Sequence, residues 1–391
     1  MLNGPFSPWP DYDDEDKQAV LDVLNSNQVN YWTGQKGREF ERQFAKFTDS
    51  EYAIAVANGT VALDLAWHAL DMPPGSEVIV TSRTFIASIS SIVLAGLRPV
   101  FADIDRNTQN ITAATIKEKL SAKTKAILCV HLAGWPCEMD DILSLAKEHD
   151  LFVVEDCAQA HGAKYKGKSV GSLGDIGAWS FCQDKIMTTV GEGGMVTTNN
   201  KTYWDKMWSF KDHGKSWSAI YEQQHPPGFR WLHESFGTNW RMLEVQAAVG
   251  LEQLRKMPNW RAKRAEYSEK IFATAGQFPA LRVPDIATDI EHAFYKCYVF
   301  VEASKLKSGW DRDRIVAEIN LRNVPCFSGS CSEVYKEKAF DNTGLRPSEP
   351  LKNAVELGGS SLMFLVHPSL KKTEISACCE AISIVMAEAN Q

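Results

Sequence analysis

Hydrophobic positions in the first half of the chain follow two alternating rhythms. Short, β-branched-rich runs recur at residues 53–57, 77–81, 99–102, 126–130 and 151–155. Between them, over 60–70, 85–95, 112–120 and 139–149, apolar residues return every three or four positions. A run apolar at nearly every position fits a strand buried on both faces, and the three-and-four spacing gives a helix one apolar face. The alternation therefore predicts a largely parallel sheet covered by helices on both sides. Two closer runs, 177–181 and 194–198, predict two more strands arranged as a hairpin, seven in all. An acidic amphipathic helix over 13–24 precedes them.

After Asn199 the rhythm fades. Residues 204–241 are rich in Trp, His, Gly and Pro, carry the turn signal Pro226-Pro227-Gly228, and have no clear period. So long a stretch without periodicity is more often functional than filler. A helical pattern resumes over 243–271, followed by strand-like 298–301 and helix-like 311–321 and 372–387, which read as a smaller α+β domain. The expected division is a large α/β domain with its N-terminal helix at 1–250 and a small C-terminal domain at 251–391; a length of 391 residues suits two domains.

Composition narrows the class. With 44% apolar residues the chain can bury enough surface to fold. Lys and Arg total 42 against 49 Asp and Glu, a formal charge of −7 with no basic block, which argues against nucleic acid and anionic membranes as partners. The nine cysteines include no Cys-x-x-Cys spacing and read as reduced thiols of a cytoplasmic protein, neither a disulfide framework nor a zinc site. Met1-Leu2-Asn3-Gly4-Pro5-Phe6 has no basic leader character, and the weakly polar stretch 84–97 is too short to span a bilayer.

Ligands of such sheets bind outside the carboxyl ends of parallel strands. After the first strand comes Asn58-Gly59-Thr60, either a plain helix cap or a seat for a phosphate on helix N–H groups. After the fifth comes Asp156, followed by Cys157-Ala158-Gln159; Asp156 is either an N-cap or a carboxylate facing a cation such as a protonated pyridine nitrogen, with Gln159 in reach of a ring oxygen. Ser180-Phe181-Cys182-Gln183-Asp184-Lys185, ahead of Gly191-Glu192-Gly193-Gly194, puts a lysine between apolar flanks, the setting of an amine able to form a Schiff base. No Gly-x-Gly-x-x-Gly follows a strand, which disfavours a nicotinamide enzyme.

Asn58-Gly59-Thr60, Thr84-Phe85, Glu155 to Gln159, Ser180-Phe181 with Lys185, Gly191 to Gly194 and Asn239-Trp240-Arg241 together resemble, in order, the DegT/DnrJ/EryC1/StrS family of pyridoxal-phosphate-dependent sugar aminotransferases. The resemblance runs from about residue 10 to the C-terminus. It implies aspartate-aminotransferase fold type I, with Lys185 carrying pyridoxal 5'-phosphate as a Schiff base and Asp156 paired with its ring nitrogen. It also implies that Phe85 stacks on the ring, Gln159 meets the phenolic oxygen, and Gly59, Thr60 and Ser180 hold the phosphate. Asn239 would join them from the neighbouring subunit of a homodimer. The donor implied is L-glutamate, the acceptor a nucleotide-linked keto sugar, and pyridoxamine 5'-phosphate the form between the two half-reactions. The dehydratase branch of the family has His where this chain has Lys185, which favours transamination.

The resemblance is weaker around the acceptor. Pro325 to Cys331 lacks the His-Tyr pair many members carry. Lys215, Arg230 and His233 are candidates for a substrate diphosphate, and Tyr31-Trp32 for stacking a base or sugar; the alternative is that these residues pack a dimer interface. No metal site is expected, because His213, His225 and His233 lack a ligand spacing. The expected product is an amino sugar for a bacterial surface polysaccharide, a UDP- or dTDP-linked 4-keto sugar being the favoured acceptor. The rivals are a 3-keto-sugar or cyclitol aminotransferase and a non-catalytic cofactor-binding regulator.

Overall fold

The computed structural model describes residues 4–390; Met1 to Asn3, part of the segment expected not to be a leader, and Gln391 lie outside it. Seven strands form the central sheet: β1 (Tyr52–Val56), β2 (Glu77–Thr81), β3 (Arg98–Ala102), β4 (Thr124–Val130), β5 (Phe152–Asp156), β6 (Ile176–Ser180) and β7 (Gly194–Thr198). Their order is β1-β7-β6-β5-β4-β2-β3. β7 runs antiparallel to both β1 and β6, and every other pairing is parallel. The two closer runs are thus antiparallel neighbours, joined by the long loop that carries Lys185. Val, Ile, Leu and Ala at nearly every strand position fill the space under the helices, where a continuous buried core spans both faces.

The predicted helices appear as α1 (Asp14–Ser26), α3 (Gly59–Leu70) and α4 (Ile86–Leu94). The helix expected over 112–120 is shorter, Ala113–Lys117. Among the described residues four α-helices were not expected, the two shorter being Trp217–Tyr221 and Lys352–Ser360. α2 (Lys36–Phe47) buries Phe40 and Phe44 against Trp179 and Phe181, and Lys201–Phe210 lies inside the stretch that lacked a period. The latter buries Met207 and Trp208, with Tyr203 and Trp204 packed partly buried against the same core, a one-faced spacing set inside an otherwise turn-rich stretch.

The 32-residue helix α5 (Glu244–Ala275) runs straight through position 250. Beyond it, a four-stranded antiparallel sheet of Leu281–Arg282, Cys297–Val301, Ser361–Phe364 and Cys326–Phe327 encloses a second core with Arg312–Leu321 and Lys372–Ala389. All nine cysteines are free, six of them buried. Among the described residues no helix is long and apolar enough to cross a membrane.

Candidate active site

Because β1, β2, β5 and β6 are parallel in the sheet, their carboxyl ends share one edge, and most of the predicted groups gather there. Asn58 caps α3, accepting the Val61 N–H at 3.0 Å. Gly59 opens that helix for a steric reason: a Cβ there would sit 2.5 Å from Ser180 Cβ. Gly194 is needed for the same closeness, since its Cβ would lie 2.3 Å from the Asn58 carbonyl oxygen. Gly59, Thr60 and Ser180 thus form one cradle at the positive end of a 12-residue helix, whose first N–H groups have no partner within it. A phosphate fits such a cradle.

Asp156 ends β5 and is only 5% exposed. Its Oδ2 accepts from Ser88 Oγ at 2.7 Å and its Oδ1 from the Ala158 N–H at 3.1 Å; Ser88 Oγ also lies 2.8 Å from Thr84 Oγ1. An ionised carboxylate has about four lone-pair sites, so two remain for a cation. A protonated ring nitrogen fits this donor set.

Lys185 sits on the β6–β7 loop with its side chain 16% exposed. Its N–H donates to the Cys182 carbonyl at 3.0 Å, and its carbonyl accepts from Trp9 Nε1 at 2.8 Å. Both main-chain groups are therefore pinned while the amine stays accessible. Nζ lies 4.0 Å from Asp184 Oδ1 and 5.2 Å from the Tyr295 ring centroid. Burial pushes the Asp184 carboxyl up, but Lys185, the Tyr295 hydroxyl and Lys296 outweigh it and hold the group below its ordinary value. Of the apolar flanks, Phe181, Ile186 and Met187 are buried and Cys182 is half-buried.

Phe85 precedes α4 and is 68% exposed, an aromatic face left open on the site edge. Gln159 has its Oε1 committed to the Ala133 N–H at 2.8 Å, so its NH2 end is the one left to meet a ring oxygen. Asn239 is exposed and bridges Asp212; the adjoining Trp240 carbonyl accepts from the Ala57 N–H at 2.9 Å, which places this segment against the end of β1.

The acceptor candidates divide. Tyr31 is a correction: it is 1% exposed, its hydroxyl donates to Glu41 Oε2 at 3.1 Å, and Lys211 Nζ lies 3.6 Å from its ring centroid, so no face is open to a base or sugar. Trp32 is half-buried, with Lys215 Nζ 4.1 Å from its ring. Lys215 also reaches Asp212 Oδ1 at 3.4 Å, and its backbone bridges His233. Arg230 and His233 are exposed, and among the described residues Arg230 has no ion pair.

Several residues that touch the site were not singled out in the sequence. Ser88, in the first turn of α4, signals nothing until Asp156 is known to lie opposite, and Thr84, named only with Phe85 in the resemblance, meets it from just before the helix. Tyr295 and Lys296 come from a distant strand entry and carry no local signal. Among the described residues, His131, Glu155 and Cys157 have potential metal-ligand atoms all within 4.8 Å of one another. His131 and Glu155 are already bonded to each other, and burial followed by the nearby carboxylates pushes the Cys157 thiol well up, away from the thiolate a metal needs.

The sequence profile of the DegT/DnrJ/EryC1/StrS aminotransferase family matches residues 10–383. A GDP-perosamine synthase of Escherichia coli O157:H7 is 34% identical over 377 residues, 96% of this chain and 96% of that protein. The X-ray structure of an aminotransferase from Psychrobacter cryohalolentis is 59% identical with a TM-score of 0.96, covering 98% of this chain and 99% of that one. An E. coli GDP-4-keto-6-deoxy-D-mannose-3-dehydratase with bound hydrated pyridoxal phosphate is 26% identical with a TM-score of 0.86, covering 98% of this chain and 100% of that one. The chain belongs to the DegT/DnrJ/EryC1/StrS aminotransferase family, of fold type I, and its cofactor is pyridoxal 5'-phosphate.

Proposed function

We propose that this aminotransferase moves the amino group of L-glutamate to the keto carbon of a nucleotide-linked sugar, in two half-reactions, to make an amino sugar for a surface polysaccharide. The observation that carries the reading is a partly open lysine amine, Lys185, on the same sheet edge as an under-coordinated buried carboxylate and a phosphate cradle. The cofactor, when bound, supplies an electron sink for the carbon that loses its proton. The residues do the rest. The N–H groups of Gly59 and Thr60 and the Ser180 hydroxyl hold the phosphate, and Asp156 keeps a proton on the ring nitrogen. Phe85 covers the ring face, and the Gln159 amide orients its oxygen. Lys185 Nζ would take the proton from the donor's α-carbon as general base and give it back as general acid.

Asn239 is assigned to the phosphate of the partner subunit's site in a homodimer, and residues 1–250 to the cofactor domain, with 251–391 as the smaller one. Trp32, Lys215, Arg230 and His233 are the remaining acceptor candidates. A UDP- or dTDP-linked 4-keto sugar was the favoured acceptor; two of the proteins compared are named for GDP-sugars, so GDP belongs in the same set. Glutamate-dependent conversion of a panel of UDP-, dTDP- and GDP-keto sugars, followed by mass, is expected to give one amino sugar. Lys185→Ala should abolish both the turnover and the borohydride-sensitive absorbance near the visible edge. Absence of that band from the wild type, or activity confined to free cyclitol ketones, would refute the proposal.

A further inference from the structure

Among the described residues the fully buried cations Arg83, Arg264 and Lys211 each have an oxygen of the fold beside them, although Lys211 Nζ makes no hydrogen bond. Arg83 donates to Gln109 Oε1 at 3.1 Å and Ser361 Oγ at 2.8 Å. Arg264 donates to the Phe294 and Tyr295 carbonyls, both at 3.2 Å. Lys211 lies 3.8 Å from Glu41 Oε1 and is sealed from solvent. Lys296 is different. It is largely enclosed but keeps some solvent contact, and among the described residues it makes no hydrogen bond and no ion pair. Its Nζ rests 4.7 Å from the centroid of Tyr295, the same ring that Lys185 Nζ approaches at 5.2 Å. The Tyr295 hydroxyl donates to Asp184, which in turn neighbours Lys185.

The ammonium is short of a counter-ion. Desolvation, opposed by Asp184 and reinforced by Arg264 and Lys185, pushes its pKa down to about 8. A group in that state gains from an anion entering the same enclosure. The amino donor brings one. Its α-carboxylate is two bonds from the amine that must reach Lys185, so a cation beside that lysine is what donor recognition requires. Asp184, close by, would repel the same carboxylate unless a positive charge offset it.

We propose that Lys296 is the carboxylate-binding residue for the amino-acid donor, seating it next to Lys185 Nζ. The assignment rests on the aminotransferase reading above and names the residue that selects an amino acid as donor. It separates the half-reactions: the donor step needs Lys296, and the sugar step, whose substrate brings no α-carboxylate, does not.

The test measures each half-reaction of Lys296→Met and Lys296→Arg alone, with glutarate binding to the holoenzymes by calorimetry as a readout independent of turnover. In Lys296→Met, the glutamate concentration for half-maximal donor rate should rise about tenfold to a hundredfold, the range for losing a charged hydrogen bond. Its acceptor half-reaction should stay within about twofold, glutarate binding should be lost, and Lys296→Arg should restore most of both. An unchanged melting temperature and visible band establish that the variant is folded and loaded; if Lys296→Met misfolds, glutarate binding to wild type and Lys296→Arg, competed by glutamate, decides. Unchanged donor kinetics, a defect confined to the acceptor step, or no glutarate binding by the wild type overturns the proposal. If the wild type does not react with glutamate at all, the aminotransferase reading fails instead, and the glutarate measurement still decides Lys296.

Discussion

Glu155 and Asp156 are consecutive residues of one strand, both carboxylates, both buried, at 0% and 5% exposure. Successive strand side chains point to opposite faces, so they meet different surroundings. Glu155 is filled. Its Oε1 accepts the Leu173 and Gly174 N–H groups at 2.9 and 2.7 Å, and its Oε2 accepts the Gly171 N–H at 2.8 Å and faces His131 Nε2 at 2.9 Å. Four partners match the lone pairs a carboxylate offers. Asp156 has two partners and an open side. One carboxylate fastens the 171–174 turn to the sheet; the other is held in place and left short. A buried charge that the chain itself does not satisfy marks a place where something else must bind.

That contrast predicts opposite failures. Asp156→Asn keeps an oxygen for Ser88 or Ala158 but removes the charge. Catalysis should fall about a thousandfold, the upper end of the cost of losing one preorganised electrostatic partner, with the melting temperature nearly unchanged. Stopped-flow rates of the glutamate half-reaction check it, and full activity in the folded variant would break the distinction. Glu155→Gln should do the reverse. The amide's NH2 would face N–H donors, costing about 3 kcal/mol of stability while the absorbance per folded molecule survives. Denaturant melts followed with the cofactor band separate the two outcomes.

Sequence told these residues apart only by position: Asp156 stands just past the apolar run, where ligands of such sheets bind, and nothing in the chain shows that Glu155 is filled by the 171–174 turn and His131. What it did carry was local. The seven strands were legible from runs of Val, Ile, Leu and Ala. Gly59 and Lys185 were legible because a glycine at a helix start and a lysine between apolar residues are unusual on their own. α2 was not, since its inward face amounts to a few phenylalanines in a charged segment, with Glu41 buried among them. Tyr31 misled for a related reason. Beside Trp32 it looks like an open aromatic pair, and only the fold brings Glu41, Trp208 and Lys211 onto it. Lys296 was invisible because Lys185, Asp184 and Arg264, which give it its character, lie far away in the chain.

The same contrast between filled and unfilled groups extends to two buried histidines, with a smaller effect. His131 is held at both nitrogens, Nε2 by Glu155 and Nδ1 by the Cys137 N–H at 3.0 Å. His161 has no well-formed hydrogen bond at either nitrogen, the Ser180 backbone being its nearest polar contact; its ring packs against Trp179 and Phe181 at 5.3 and 5.5 Å between centroids. Desolvation first, then Lys185 and Arg264, pushes its pKa down to about 3. A base whose folded value lies below its unfolded one binds its proton first in the unfolded chain. Its contribution is whole above pH of about 6.5 and is lost progressively as pH falls toward 3. By pH 5 the loss from this residue is at most about 2 kcal/mol. His161→Leu should therefore melt with a shallower dependence on pH between about 6.5 and 5 than the wild type. The slope will not vanish, because His292, pushed down to about 3, and His367, to about 2, are subject to the same linkage. Equal slopes for variant and wild type would mean that His161 finds a partner in solution.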